Sequence, residues 1–199
     1  MIVLGVTGGT GTGKSTVCKM LKDKGAKVID ADKIAKKAQR KGTPAYERIV
    51  EHFGKGILQE NGEIDRAALG KIVFHDYREM LTLNHIVHEY VSKEIKEKVK
   101  TYREEGESLV VLDVPIPIEE GFFDTANSIW TVSANNDIRV ERLMERMKIS
   151  ESEAEVRINA QMSNREYEEI ADTVIQNEGS EEELKKLVDY EYMRLMAGL

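Results

Sequence analysis

The sequence predicts an α/β fold: a parallel sheet flanked by helices, with a helical segment inserted into it. Three features of the 199 residues predict it. Short β-type runs recur at Ile2–Val6, Lys27–Ile29, Ser108–Leu112, Ser128–Val132 and Thr173–Ile175. They lack polar alternation, as strands buried on both faces of a parallel sheet do. Helical patterns separate them, which implies right-handed crossovers and a doubly wound sheet. The interval from about 33 to 107 carries no convincing strand and reads as several helices, an insertion between the second and third strands.

Composition narrows the function. With 41% hydrophobic and 33% charged residues the chain can bury a substantial core. The formal net charge of −7 argues against nucleic acid as a partner. No apolar run is long enough for a bilayer, and Met1–Leu4 is far too short for a signal-peptide core, so no membrane partner and a cytoplasmic location are expected. The single cysteine, Cys18, lies in the apolar phase of a helix and is read as packing.

The first strand, Ile2–Val6, runs into Gly8-Gly9-Thr10-Gly11-Thr12-Gly13-Lys14-Ser15, the pattern G-x-x-x-x-G-K-S. A strand before it and a helix after it are the context in which this pattern is a phosphate loop. Glycines let backbone N–H groups converge on phosphate, and the helix that follows points its positive end there. Lys14 then reaches the β/γ-phosphates and the Ser15 hydroxyl ligates Mg²⁺. The fold class is therefore a P-loop NTPase-type sheet whose loop binds a nucleoside triphosphate with Mg²⁺. The helix from Lys14 to Lys24 closes at Gly25.

The second strand ends in Val28-Ile29-Asp30-Ala31-Asp32, at the strand end where open α/β sheets bind ligands. If Ala31 continues the strand the two carboxylates point the same way; if a helix starts there they diverge. Asp32 is a candidate general base and Asp30 a candidate for the magnesium water shell. The alternative is an N-cap for a helix beginning near Lys33. The basic stretch Lys33–Lys41 reads as a solvated face that an anionic acceptor could pass. The inserted segment includes a helix from Tyr77 to about Lys100, and Lys93–Glu107 is a solvated face with its exit.

The third strand ends at Asp113 with Val114 next, so a single carboxylate is present and no neighbouring Glu to activate water. Neither an N/T-K-x-D nor a D-x-x-G string occurs. Both absences point from hydrolysis toward phosphoryl transfer. After the fourth strand, Asp137–Met147 places Val140, Leu143, Met144 and Met147 on one side of a helix and Arg139, Arg142 and Arg146 on the other. Guanidinium groups there suit the charge of a transferring phosphoryl group. Ser150 with Glu153 forms a capping box for the next helix.

Together these residues resemble the dephospho-CoA kinase family over nearly the whole chain. The similarity is carried by TGGTGTGKST at 7–16, VIDAD at 28–32, DRAALGKIVF at 65–74 and LNHIVH at 83–88. It continues through LDVP at 112–115, RLMER at 142–146, RINAQM at 157–162 and ADTVIQNEGS at 171–180. The resemblance implies ATP-dependent phosphorylation of the ribose 3′-hydroxyl of dephospho-CoA, the last step of coenzyme A synthesis. It implies a core of residues 1–34, 106–136 and 166–199, a helical acceptor domain at about 35–105 and a mobile lid at about 137–165.

It also implies roles. Asp32, Lys14 and Arg142 are the catalytic candidates, and ATP falls to Gly9, Gly11, Thr12, Gly13, Lys14, Ser15, Thr16, Arg142 and Asn177. The acceptor falls to Asp32, Arg66, His88, Asp113, Arg146 and Gln161, and metal to Ser15 and Asp30. His88 taken without the resemblance reads as a buried histidine, and Arg139, with no family counterpart, as a surface charge. Four departures stand out: Glu89 where the family has proline, Pro117 in DVPIPIE, Tyr167 where lysine is usual, and Gln176 in the tail. A monomer or weak oligomer is expected. The rival readings are another small-metabolite or nucleoside monophosphate kinase of this fold and, from a different class, a nucleotide-dependent regulatory protein; a panel of acceptors separates them.

Overall fold

The structure, a computed structural model, describes residues 1–198. The chain divides into two compact units, one formed by Met1–Ile29 with the chain from Val99 onward, the other by Asp30–Lys98.

The sheet has five strands, β1 (Ile2–Thr7), β2 (Lys27–Asp30), β3 (Leu109–Asp113), β4 (Ser128–Ser133) and β5 (Thr173–Gln176), in the order β2-β3-β1-β4-β5. Central β1 pairs in parallel with β3, Val6 opposite Asp113, and with β4, Thr7 opposite Thr131. β4 pairs in parallel with β5. Every residue of β1 is buried, which explains why its sequence shows no alternation: both faces of the central strand are shielded from solvent. Each observed strand lies within a residue or so of its sequence expectation, because β-branched runs bounded by polar turns are a local signal.

One face of the sheet, carrying Leu4, Val6, Val111 and Trp130, packs on Val17, Cys18 and Leu21 of α1 (Lys14–Asp23) and on Leu184 and Val188 of α9 (Glu181–Ala197). Burying a side chain of this size is worth about 1.5–3 kcal/mol each. Leu21, fully enclosed, is the residue whose truncation to Ala would cost most in α1, about 2–5 kcal/mol. α1 closes as expected, with Gly25 at φ +96° and its N–H donated to the Lys22 carbonyl at 2.9 Å.

The second unit is helical: α2 (Ala31–Ala38), α3 (Pro44–Phe53), α4 (Arg66–His75) and most of α5 (Tyr77–Glu104). Its own core comprises Ala38, Tyr46, Ile49, Ile57, Leu69 and Ile86. Side chains set its helix starts. Thr43 Oγ1 accepts from Tyr46 N with Pro44 in the first turn, and Asp65 Oδ1 accepts from Ala67 N at 2.8 Å and Ala68 N at 3.1 Å. α2 begins at Ala31, earlier than the expected Lys33, because Asp30 caps it.

Beyond β4 lie α6 (Asn136–Met147), α7 (Glu151–Asn159) and α8 (Asn164–Glu169). α6 corrects the sequence reading. Its buried residues are Arg139 and Leu143, one turn apart, while Met144 and Met147 are 38% and 40% exposed. The buried stripe is therefore rotated from the one the methionines indicated, and Arg139, read as a surface charge, is 1% exposed. The capping box at Ser150 and Glu153 is present, and a second joins Ser163 and Glu166. Among the described residues no helix is long and apolar enough to cross a membrane.

Candidate functional site

β1 delivers the chain into the glycine loop at the C-terminal edge of the sheet, where Asp113 ends β3 and Asn177 follows β5. Gly11 and Gly13 have φ of +82° and +93°, a region that side chains with a Cβ rarely enter. Gly13 is the N-cap of α1 and supplies no capping side chain. The first amides of α1 are thus left for an external acceptor, and the helix's positive end favours an anion there.

Side chains from the second half of the chain hold the outer side of this loop. Arg139 Nε donates to the Thr10 carbonyl at 2.9 Å, and Asn177 Nδ2 donates to the Thr12 carbonyl at 2.8 Å. Arg142 Nη1 reaches the Gly11 carbonyl at 3.4 Å, a long contact, and Gln161 Oε1 accepts from Thr10 N at 2.6 Å. Within the loop, Thr12 Oγ1 donates to the Gly9 carbonyl at 2.8 Å. In a trans peptide the N–H opposes the C=O. Carbonyls of Thr10 and Thr12 turned outward therefore aim the amides of Gly11 and Gly13 the other way, where a phosphate fits.

Lys14 forms an ion pair with Asp113, both side chains being largely shielded at 13% and 14% exposure. Lys14 is thereby held at the strand end instead of sweeping through solvent. Ser15 is exposed at the start of α1. Beside the loop a cavity of about 260 Å³ is lined by Gly11, Gly13, Thr16, Arg142, Arg146 and Asn177, among others. Arg142 and Arg146, expected on different ligands, line this one cavity. Gln161, expected on the acceptor, stands at the phosphate loop.

For a divalent ion, no group of three His, Cys, Asp or Glu side chains capable of holding a metal occurs among the described residues. Mg²⁺ differs from Zn²⁺ in needing no such cage, since it keeps several waters and takes one or two protein oxygens plus substrate phosphates. The Ser15 hydroxyl at the loop's helix start fits that requirement.

In the helical unit the fork at Ala31 is decided: the helix starts there, so the two carboxylates diverge. Asp30 Oδ1 accepts from Lys33 N at 2.9 Å and Oδ2 pairs with Lys33 Nζ at 2.9 Å. Both Asp30 oxygens are engaged in its own turn, the cap role set against the metal role. Asp32, in the first turn of α2, is exposed. Arg66 opens α4 and is exposed. His88 is exposed on α5, contrary to the buried reading. Its imidazole is still held below its ordinary pKa, first by partial desolvation of the ring and then by neighbouring His85. Glu89, the departure beside it, pairs with Arg48 Nη1 at 2.5 Å, and that cation holds its carboxyl below the usual range.

Tyr167 is 1% exposed, and its hydroxyl donates to the Pro115 carbonyl at 2.8 Å while its own carbonyl accepts from Thr131 Oγ1 at 2.7 Å. Burial pushes its phenol up. This position ties α8 to β4 and to the turn after β3. The residue at the loop that the sequence reading set aside is Arg139, buried against the Thr10 carbonyl. The signal available for it was its spacing of four from Leu143, which places it on the buried stripe of α6.

A family model for dephospho-CoA kinase matches residues 2–183. The dephospho-CoA kinase of Carboxydothermus hydrogenoformans is 42% identical over 186 residues, 94% of this chain and 90% of that protein. The dephospho-CoA kinase of Bacillus cereus is 44% identical over 179 residues, 90% of each. The solved dephospho-CoA kinase from Campylobacter jejuni matches with a TM-score of 0.73 at 26% identity, covering 98% of both chains. Matched in sequence and in backbone along nearly its full length, the chain belongs to the dephospho-CoA kinase family.

Proposed function

We propose that the chain transfers the γ-phosphoryl group of ATP to the ribose 3′-hydroxyl of dephospho-CoA, giving coenzyme A and ADP. The observation that carries this reading is the phosphate loop, its carbonyls held outward by side chains and its lysine paired to the carboxylate ending β3. The family's name supplies the acceptor.

In this reading Asp32 takes the proton from the 3′-hydroxyl as the new O–P bond forms and the bond from the γ-phosphorus to the β–γ bridging oxygen breaks. ADP leaves with the electrons of that bond. Lys14 and Arg142 stabilise charge on the transferring group, and the amides of Gly11 and Gly13 hold the β-phosphate. Mg²⁺, when bound, neutralises charge on the β- and γ-oxygens. Ser15 is the residue that would hold it, while Asp30 is retained as the cap of α2. Arg66 and His88 bind the acceptor, Asp113 orients Lys14, and Asn177 and Thr16 line the nucleotide cavity. The helices over 137–165 act as a lid that excludes water during transfer.

A coupled assay with ATP, Mg²⁺ and dephospho-CoA, read by ADP release and by the mass of 3′-phosphorylated product, tests the reading. Rapid ADP formation only when dephospho-CoA is present is the expected result. Faster turnover with a nucleoside monophosphate or a sugar acid would replace the acceptor, and slow turnover indifferent to any acceptor would remove the kinase mechanism.

A further inference from the structure

Arg139 is a buried cation with no anion among its hydrogen-bond partners in the described residues. Nε meets the Thr10 carbonyl, and Nη1 meets Asn136 Oδ1 at 3.1 Å and Asn164 Oδ1 at 2.8 Å, all of them neutral oxygens. Asn164 is fixed in that orientation because its Nδ2 donates to the Ala134 carbonyl at 2.8 Å. Nη2 is buried without a partner. Desolvation lowers the guanidinium's pKa, yet arginine stays protonated.

The loop is shaped to receive this group. A Cβ on Gly9 would lie 2.4 Å from Nη2, and one on Gly11 would lie 2.9 Å from the Arg139 carbonyl. The first of these glycines makes room for a guanidinium packed directly behind the phosphate loop. An uncompensated buried charge is costly unless something supplies its counter-charge. The group for which the other side of this loop is built is a polyanion.

We propose that Arg139 is a positioning residue for nucleotide: it fixes the Thr10 carbonyl outward and places a positive charge behind the loop, for which bound triphosphate is the counter-charge. The proposal rests on the nucleotide reading above. It separates Arg139 from Arg142 and Arg146, which line the nucleotide cavity, because Arg139 acts through the loop backbone.

The experiment compares wild type with Arg139→Met, which keeps length and removes charge, and with Arg139→Gln, which keeps a donor. The readouts are the melting temperature without ligand, its rise on adding ATP, and the separate KM values for ATP and dephospho-CoA. Removing an uncompensated cation should leave the ligand-free melting temperature unchanged or higher. ATP should bind about tenfold more weakly, on the scale of a charge-assisted hydrogen bond, and raise the melting temperature correspondingly less. The KM for dephospho-CoA should stay within about twofold, and Arg139→Lys should recover more ATP affinity than either neutral variant.

If both neutral variants fail to fold, or melt lower without ligand yet gain the full wild-type rise with ATP, Arg139 is a packing residue and the proposal is overturned. A wild type that ATP does not stabilise at all defeats the nucleotide reading, and this proposal with it. A wild type that gains stability alongside neutral variants gaining the same increment overturns the Arg139 proposal alone.

Discussion

In the phosphate loop, the carbonyls of Thr10 and Thr12 and the amide of Thr10 are each met by a side chain from beyond residue 135. In the helical unit, Asp32, Arg66 and His88 project from exposed positions on helices whose starts are capped locally, by Asp30 for α2 and Asp65 for α4. The loop is thus held in shape by contacts spanning much of the chain. Asp32, Arg66 and His88, by contrast, stand exposed on helices whose packed side is the unit's own core. Preorganisation removes the cost of ordering groups when the ligand arrives. Exposed side chains leave that ordering to the substrate. Changes behind the loop should therefore alter nucleotide affinity, whereas changes in the helical unit should alter turnover or acceptor affinity and leave stability alone.

The largest expected effect tests the exposed side of that contrast. Asp32→Asn should lower kcat by roughly 10²–10⁴-fold, the usual worth of a general base, with ATP affinity and melting temperature nearly unchanged. Near-normal turnover would reduce Asp32 to a residue of the first turn of α2. Next, Lys14→Ala should cost about 10²–10³-fold in kcat/KM for ATP, since it removes a preorganised cation and leaves Asp113 without its partner. Unimpaired transfer by this variant would break the assignment of the loop.

Arg66→Ala sharpens the comparison further. Loss of a charge-assisted contact should raise the KM for dephospho-CoA by about tenfold, with the KM for ATP unmoved. An equal rise in both would mean that the two regions are not separable in function. Tyr167→Phe, by contrast, removes only the hydrogen bond to the Pro115 carbonyl. It should lower the melting temperature by about 2–4 °C and leave both KM values as they were.

The smallest effect concerns the capping carboxylates. Hydrogen bonds from Ser150, Ser163 and Ser180 hold Glu153, Glu166 and Glu183 below their ordinary pKa. Because the folded values are depressed, the stability these groups contribute is present above the unfolded carboxylate range and is lost as pH falls through the folded values. Ser163→Ala should lower the melting temperature at neutral pH by roughly 1–2 °C, with the deficit shrinking in acid as the bond from Ser163 Oγ to the Glu166 carboxylate loses its worth, but not vanishing, because Ser163 Oγ also accepts from Glu166 N at every pH. A deficit that persists unchanged at low pH would show that the carboxylate plays no part.

Much of the fold was legible because its signals are local. Apolar runs such as Leu109–Leu112, the glycine spacing from Gly8 to Gly13, and the Ser150–Glu153 box each act within a few residues of chain. α6 was misread for the opposite reason. Its methionines outweighed its arginine in an apolar pattern, but flexible methionine tolerates exposure, and Arg139 could be buried because three neutral oxygens receive it. The start of α2 was also underdetermined, since Asp30 and Asp32 are both acceptable caps and only the backbone at Ala31 chooses between them.

By itself, then, the sequence determined the parallel sheet, the phosphate loop and the family resemblance, all of which follow from residue types at short, regular spacings. Tertiary structure alone decided which arginine faces the back of the loop, and that Gln161 and Asn177 reach Thr10 and Thr12. The physical reason is that burial of a charged or amide side chain depends on partners brought from far along the chain. Arg139 is 129 residues from Thr10, and no pattern confined to one helix encodes that encounter.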